Sequence, residues 1–157
     1  MSGRRPAAAP AAGVRSDTAP GIFRRLASML YEAILLFAVA FLATWLFQFA
    51  AGTIRIEGWR MHLLQLFMLT VFAAYFLWCW LRGGQTLAMK TWRIRLVARK
   101  DHGRLSPQAA LLRFMYALVL VPSLIGIAWA YVDRDRQFLH DRLAGSLLIH
   151  VPAAWQD

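Results

Sequence analysis

Residues 24–50 read RRLASMLYEAILLFAVAFLATWLFQFA, an apolar run that follows two arginines and contains one acid, Glu32. From Leu26 the run exceeds the ~20 residues needed to cross a hydrocarbon core, so we predict a spanning helix over residues 26–50. The apolar region of a cleaved signal peptide has only ~7–15 residues, so we expect this helix to be retained. A charge at this depth is costly in lipid, which makes Glu32 and its neighbour Arg25 the first candidates for function.

The composition of the chain also indicates a membrane protein. Apolar residues make up 59% of the 157 residues, against about 45–50% in ordinary soluble domains. The net charge is +10, but the basic residues flank apolar runs as they do in oriented membrane proteins, so we expect no nucleic-acid partner. Cys79 is the single cysteine, so the sequence offers no disulfide framework.

Three further regions are organised around the first apolar run. Residues 1–20 are rich in Ala, Pro and Arg and predict a disordered basic tail, and residues 153–157 form a second short tail. Residues 61–81 form a second apolar run of spanning length. The loop at residues 82–106 is strongly basic, and the positive-inside rule therefore places it in the cytoplasm together with the N-terminus.

Two short strands are predicted near the basic loop. Apolar and basic side chains alternate over residues 91–98, which indicates a strand with one apolar face. Asp101-His102-Gly103 predicts the turn that follows. Residues 146–151 indicate a second strand, and an unpaired strand gains little stability. Pairing of the two strands requires both to lie on the same side of the membrane.

The third apolar segment, residues 109–132, follows a helix start in which Ser106 suits the N-cap and Pro107 the first helical position. Pro122 and Gly126 lie near its middle, and a proline there kinks or breaks a helix. The segment either crosses once or folds back as a re-entrant hairpin, and strand pairing favours the hairpin. The predicted fold is an all-α membrane protein with about three hydrophobic helices, the third broken, and a short cytoplasmic β-hairpin or strand pair.

Glu32 has three interpretations from the sequence: a residue that joins helices by hydrogen bonds, a protonatable carboxyl on an ion path, or a group at headgroup level. Arg25 lies two helical turns earlier, about 10 Å along the axis at about 1.5 Å per residue, which is long for direct pairing. Arg113 is a second charge inside an apolar segment. It pairs with Glu32 or with an acid of the C-terminal segment, or it extends to the basic interface.

The C-terminal segment from Asp133 to Arg142 carries both signs of charge, including His140 and Asp141. Its alternating arginines repel a cation and no ligand spacing closes around it, so we expect no metal site. The sequence shows no nucleophile with a paired base and no phosphate-binding loop, so we expect neither enzymatic activity nor a cofactor. Asp133, His140 and Arg142 are retained as secondary site candidates.

Three blocks of the sequence form a pattern in the order GIFRRLASMLYE at residues 21–32, GGQTLAMKTWRIRLV at 83–97 and LHDRLAGS at 139–146. This pattern resembles the RDD family of small bacterial membrane proteins, named for an arginine and two aspartates. The family arginine corresponds to Arg25 and the second aspartate to Asp141. The first aspartate is replaced by Glu32, which keeps the charge and places the carboxyl one methylene further out.

The resemblance extends over residues 21–152 and implies a multi-pass protein of the bacterial inner membrane. Transport is the role suggested for the family, with cation/proton exchange proposed for some relatives. The candidate functional cluster is then Arg25, Glu32, Arg113 and Asp141. Three segments are too few to enclose a path, so besides the lipid bilayer we expect a second copy or a partner membrane subunit. The alternative is a structural or assembly protein whose basic loop docks a partner or anionic lipid.

Overall fold

The computed structural model of the chain describes residues 20–51, 58–133 and 137–151. The two predicted tails lie outside the described residues, apart from Pro20. The helices are α1 Ile22–Ala51, α2 Trp59–Arg82, α3 Leu87–Thr91, α4 Pro107–Leu120, α5 Ile125–Val132 and α6 Leu139–Leu143, and the strands are β1 Ile94–Ala98 and β2 Ser146–His150.

Helices α1 and α2 confirm the two predicted apolar helices. Ile22–Ala50 and Trp59–Arg82 are each long and apolar enough to cross a membrane. Their outer faces carry large apolar side chains such as Phe37 and Phe49, which are 75% and 76% exposed. A surface of this kind suits lipid far better than water. Helix α1 begins before the predicted apolar run, so Arg25 is part of the helix.

The third apolar segment is broken, as predicted. Helices α4 and α5 meet at 102°, and residues 121–124 separate them. Pro122 lies in this break, and Leu124 adopts the left-handed conformation with φ of 60°. Gly126 lies just beyond the break, as the second residue of α5. A Cβ atom on it would lie 2.9 Å from Leu120 Cβ, so glycine permits the close approach of the two helix ends.

Strands β1 and β2 confirm the predicted strand pair. They are antiparallel, with Ile94 opposite His150 and Ala98 opposite Ser146. Strand β1 begins at Ile94 and not at residue 91 as predicted, because Thr91 ends the short helix α3 and residues 92–93 form a turn. This helix is not predicted by the sequence pattern, which indicates a loop at these residues.

Two polar side chains shape the connection between β1 and α4. The Gly103 N–H donates to Asp101 Oδ1 at 3.0 Å, which confirms the predicted turn. Ser106 Oγ accepts from the Ala109 N–H at 3.2 Å, and Pro107 is the first residue of α4. The predicted helix start is therefore confirmed.

The strand pair brings the chain back to the end of the bundle from which α4 departs. Strand β1 precedes α4 and β2 follows α6, and the two are hydrogen-bonded. Arg24 at the start of α1 contacts His150 of β2, and Leu96 of β1 donates its N–H to the Gly84 carbonyl just after α2, at 2.7 Å. The start of α1, the end of α2 and the strand pair therefore lie together.

The dense core of the molecule lies at this same end. Buried apolar side chains from α2, α3, β1, α4 and β2, with one from the β1–α4 connection, form it: Trp80, Met89, Ile94, Leu96, Leu105, Ala110, Phe114 and Leu148. By contrast, few side chains of the spanning windows of α1 and α2 are buried within the molecule. The well-packed end is also where the candidate site residues meet.

Candidate functional site

A cavity of about 320 Å³, called the central cavity below, lies between α1, α2, α4 and α6. Its polar lining consists of Arg25, Ser28, Glu32, Arg113 and His140. All other lining residues are apolar. The cavity thus receives two residues of the predicted cluster from α1, one from α4, and a secondary candidate from α6.

Glu32 is held by two hydroxyl groups. The Tyr75 hydroxyl donates to Glu32 Oε1 at 2.7 Å, and the Thr86 hydroxyl donates to Oε2. Glu32 is only 9% exposed, and within the described residues it has no ion-pair partner. The carboxyl is therefore buried between two neutral groups, without a counter-ion from this part of the chain.

Thr86 holds its position because it also caps a helix. Its Oγ1 accepts from the Met89 N–H at 3.2 Å and is the N-cap of α3. A single hydroxyl can accept from the helix and donate elsewhere, and here it donates to Glu32. The helix that the sequence analysis missed thus fixes one of the two groups on the carboxyl.

Arg113 and Asp141 form a buried ion pair. Arg113 Nε donates to Asp141 Oδ1 at 2.7 Å, and the two side chains are 6% and 0% exposed. The Arg113 guanidinium also lies over the Trp80 ring, 4.2 Å from its centroid. Of the partners considered from sequence for Arg113, the structure places the C-terminal acid beside it and not Glu32.

Burial and the charges around them set the ionisation of His140 and Asp141 in α6. Burial alone raises the pKa of Asp141, but the attraction of nearby positive charges, chiefly Arg113, and the Arg113 hydrogen bond together outweigh burial and lower the pKa from 3.8. For His140, burial lowers the pKa from 6.5 and Arg113 lowers it further, while Asp141 opposes this only in part. At neutral pH Asp141 is therefore ionised and His140 neutral.

Arg25 approaches the same α6 region from α1. It is 1% exposed, and its guanidinium lies 5.6 Å from the centroid of the Phe138 ring. The negative charges of Asp141 and Asp133 act on it. The structure therefore brings Arg25, Arg113 and Asp141 into one charged group, while Glu32 lines the same cavity with separate partners.

The remaining candidates anchor α6. Asp133 forms an ion pair with Arg142, and its Oδ2 accepts from the Gln137 N–H at 2.9 Å. Neither Asp133 nor Arg142 lines the central cavity. Residues 134–136 lie outside the described part of the chain.

Four residues that complete the site were not predicted from the sequence: Tyr75, Thr86, Trp80 and Phe138. A threonine before an apolar stretch is a helix-start signal, so Thr86 offered some indication. Tyr75 and Trp80 are aromatic residues in an apolar run, which gave no sign that they face charged groups. Within the described residues, no group of three His, Cys, Asp or Glu side chains is placed to hold a metal ion.

Comparison with known proteins agrees with this architecture. A model of the RDD family matches residues 19–145, which include Arg25, Glu32 and Asp141. No curated protein and no solved structure matches the chain. The match extends from the start of α1 to the end of α6 and includes every residue that lines the central cavity except Leu148. The chain belongs to the RDD family.

Proposed function

We propose that this RDD-family membrane protein is a transport component that exchanges a cation for a proton at Glu32. The observation that carries the proposal is the carboxyl itself. It is buried, lines the central cavity, and is held by two hydroxyls with no basic partner in the described residues. Charged groups inside membrane segments ordinarily face such cavities and mark ion or proton paths.

The chemistry around Glu32 suits competition between a cation and a proton. Hard cations take oxygen ligands, and the carboxylate, the Tyr75 phenol and the Thr86 hydroxyl offer oxygens close together. The same carboxylate binds one proton. A site that accepts either species but not both at once couples their movements. By contrast, Asp141 is already neutralised by Arg113, so it serves the structure of the site.

The proposed location is the bacterial inner membrane, with several crossings and a cytoplasmic N-terminus. The basic residues at the start of α1 and in the loop after α2 support this orientation under the positive-inside rule. In the proposed topology α4 and α5 form a re-entrant hairpin. Strand β1 precedes this hairpin in the chain and β2 follows it, and the pairing of the two strands supports this topology.

The proposed active form contains more than one chain. Two spans and a re-entrant hairpin leave much of α1 and α2 exposed, and non-helical backbone at membrane depth requires cover from protein or water. We propose that a second copy of this chain or another membrane subunit completes the path. The proposed role involves no chemical conversion, so the protein is not expected to act as an enzyme.

The test uses everted membrane vesicles and a pH-sensitive dye. Addition of Na⁺ or K⁺ to energised vesicles should raise the internal pH in the wild type, and Glu32→Gln should abolish this response. Asp101→Asn is the matched control, because it makes the same acid-to-amide change at an exposed turn. A full response in Glu32→Gln contradicts the proposal.

A second candidate function is docking to anionic lipid, and an exposed basic surface favours it. Lys90, Arg93, Lys100 and Arg104 are exposed around α3 and the turn after β1. Each such charge contributes about 1 kcal/mol of attraction to an anionic leaflet. Replacing all four with glutamine should weaken lateral association with phosphatidylserine in mixed-lipid nanodiscs. If cation exchange is absent and this association is lost, docking replaces exchange as the function.

A further inference from the structure

Three basic residues from distant parts of the chain meet at one end of the strand pair, and we call them the basic cluster: Arg24, Arg93 and His150. Arg24, in the first turn of α1, contacts the His150 ring. His150 is the last residue of β2 and lies opposite Ile94, the residue that follows Arg93. The Arg93 carbonyl accepts from the Val151 N–H at 2.9 Å, which fixes Arg93 beside the end of β2. The fold thus joins residues up to 126 positions apart in the sequence.

The basic cluster holds two positive charges without a compensating acid among the described residues. Arg24 and Arg93 are both exposed, and neither forms an ion pair within the described part of the chain. Burial and the charges of the two arginines lower the pKa of His150 from 6.5, so its ring is neutral at pH 7. Two like charges beside one ring repel each other, and an anion bound between them offsets this repulsion. The cluster therefore has the charge of an anion site.

The hydrogen-bond donors of the basic cluster suit a phosphate group. A guanidinium presents several N–H groups in a planar fork, and this fork matches two oxygens of a phosphate. Because the Arg24 guanidinium donates to His150 Nε2, the neutral ring carries its proton on Nδ1, which is a further donor. Within the described residues no carboxylate forms an ion pair with the cluster. A phosphate whose head group also carries an ammonium therefore finds no partner for that ammonium here.

The place of Arg24 on α1 points to a phosphate that belongs to a lipid. Arg24 lies at the start of a helix long and apolar enough to cross a membrane, and basic residues at such helix ends lie at the level of the lipid head groups. Its neighbours Phe23 and Leu26 are 78% and 38% exposed, and Leu30, one turn deeper, is 66% exposed. This apolar surface is placed to contact acyl chains next to a phosphate held at Arg24. A free phosphate ion gains nothing from such a surface.

We propose that the basic cluster binds the phosphate of one anionic phospholipid of the cytoplasmic leaflet, with a head group that carries no amine. This differs from the docking function above, in which an exposed basic surface is attracted to the leaflet as a whole, because it assigns one lipid to one site. The inference rests on the proposed cytoplasmic orientation of the N-terminus but not on cation exchange at Glu32. Loss of exchange in Glu32→Gln vesicles and loss of lipid binding at the cluster are therefore separate outcomes.

Native mass spectrometry of the purified full chain, released from detergent micelles, tests this inference. Neutral micelles have no anionic leaflet, so only lipid held by the protein itself is detected. The probes are dioleoylphosphatidylglycerol, dioleoylphosphatidylethanolamine and inorganic phosphate. The first phosphatidylglycerol should bind about fivefold more tightly than phosphatidylethanolamine, and inorganic phosphate in large excess should not displace it. Equal binding of the two lipids overturns the proposal, as does displacement by inorganic phosphate, which indicates a site for free anions.

Variants then locate the site. Arg24→Gln and Arg93→Gln each remove one guanidinium from the cluster, and each should weaken phosphatidylglycerol binding about fivefold. Arg104→Gln is the matched control, because Arg104 is also exposed but follows Gly103, whose carbonyl accepts from the Ala98 N–H at the other end of β1. It should leave the binding unchanged. Wild-type affinity in Arg24→Gln or Arg93→Gln, or an equal loss of affinity in Arg104→Gln, refutes the assignment.

Discussion

The buried ion pair of Arg113 and Asp141 leads us to expect a large loss of stability when either partner is replaced alone. Within the described residues, Asp141→Asn leaves the Arg113 guanidinium buried with no carboxylate beside it. Both side chains are nearly inaccessible and their contact is 2.7 Å, so the single change should cost about 3–5 kcal/mol of unfolding free energy. Arg113→Met leaves the opposite charge buried and should cost a similar amount.

The double variant Arg113→Met/Asp141→Asn removes both charges together. It should be more stable than either single variant, because neither member of the pair is left buried without the other. It should not reach the wild type, since the contact of Arg113 with the Trp80 ring is also lost, and that contact is worth up to about 2 kcal/mol when desolvated.

The assay is unfolding of the purified chain by SDS in mixed micelles, followed by tryptophan fluorescence. Arg104→Met serves as the control, because Arg104 is exposed and its removal should change stability by less than about 0.5 kcal/mol. If the costs of the two single variants add to within about 0.5 kcal/mol in the double variant, the two residues are not coupled and the argument is refuted.

Three further predictions follow from the fold. The free energy of unfolding should have its full value above pH 6.5 and fall below it. The His140 pKa is lowered from 6.5 in the folded protein, so the unfolded chain takes up the proton first as the pH falls. His140→Gln should reduce this loss of stability, as measured by thermal melts. Gly84→Ala should cost at least about 1–2 kcal/mol in SDS unfolding, because φ is +67° and the new Cβ would lie 2.6 Å from the Leu96 carbonyl. A reporter fused to the C-terminus should give the cytoplasmic signal, the same as one at the N-terminus.

Each of these predictions has a control or a contradicting result. His102→Gln changes an exposed histidine and should keep the wild-type pH profile, so an identical profile in His140→Gln contradicts the pH argument. A Cβ atom added at Gly21 meets no atom within 4 Å, so Gly21→Ala should change the stability little. If Gly84→Ala changes the stability as little as Gly21→Ala does, the turn at Gly84 is not strained. A periplasmic C-terminal reporter would rule out the re-entrant hairpin.

The spanning helices and the strand pair were predictable from sequence because they depend on long or regular patterns. An apolar run of about 20 residues specifies a spanning helix whatever surrounds it. Alternation over residues 91–98 indicated a strand, although β1 itself begins at Ile94. The five-residue helices α3 and α6 were not predicted, because so short a helix shows little periodicity and is held by tertiary contacts instead.

The candidate site was predicted in its charges but not in its pairing. Glu32 and Arg113 were selected because each is a charged residue deep inside an apolar segment. Their partners depend on contacts across the chain: the Tyr75 hydroxyl lies 43 residues from Glu32 in sequence, and Thr86 lies 54. No local pattern encodes such distances.

The most direct measurement of the central claim is proton movement in liposomes that contain only the purified chain. Liposomes loaded with Na⁺ or K⁺ are diluted into medium without either cation, and internal pH is followed with a trapped dye. The account predicts that cation exit drives proton entry and acidifies the interior with the wild type and with Asp101→Asn, but not with Glu32→Gln. Equal acidification with Glu32→Gln and with the wild type would contradict exchange at Glu32.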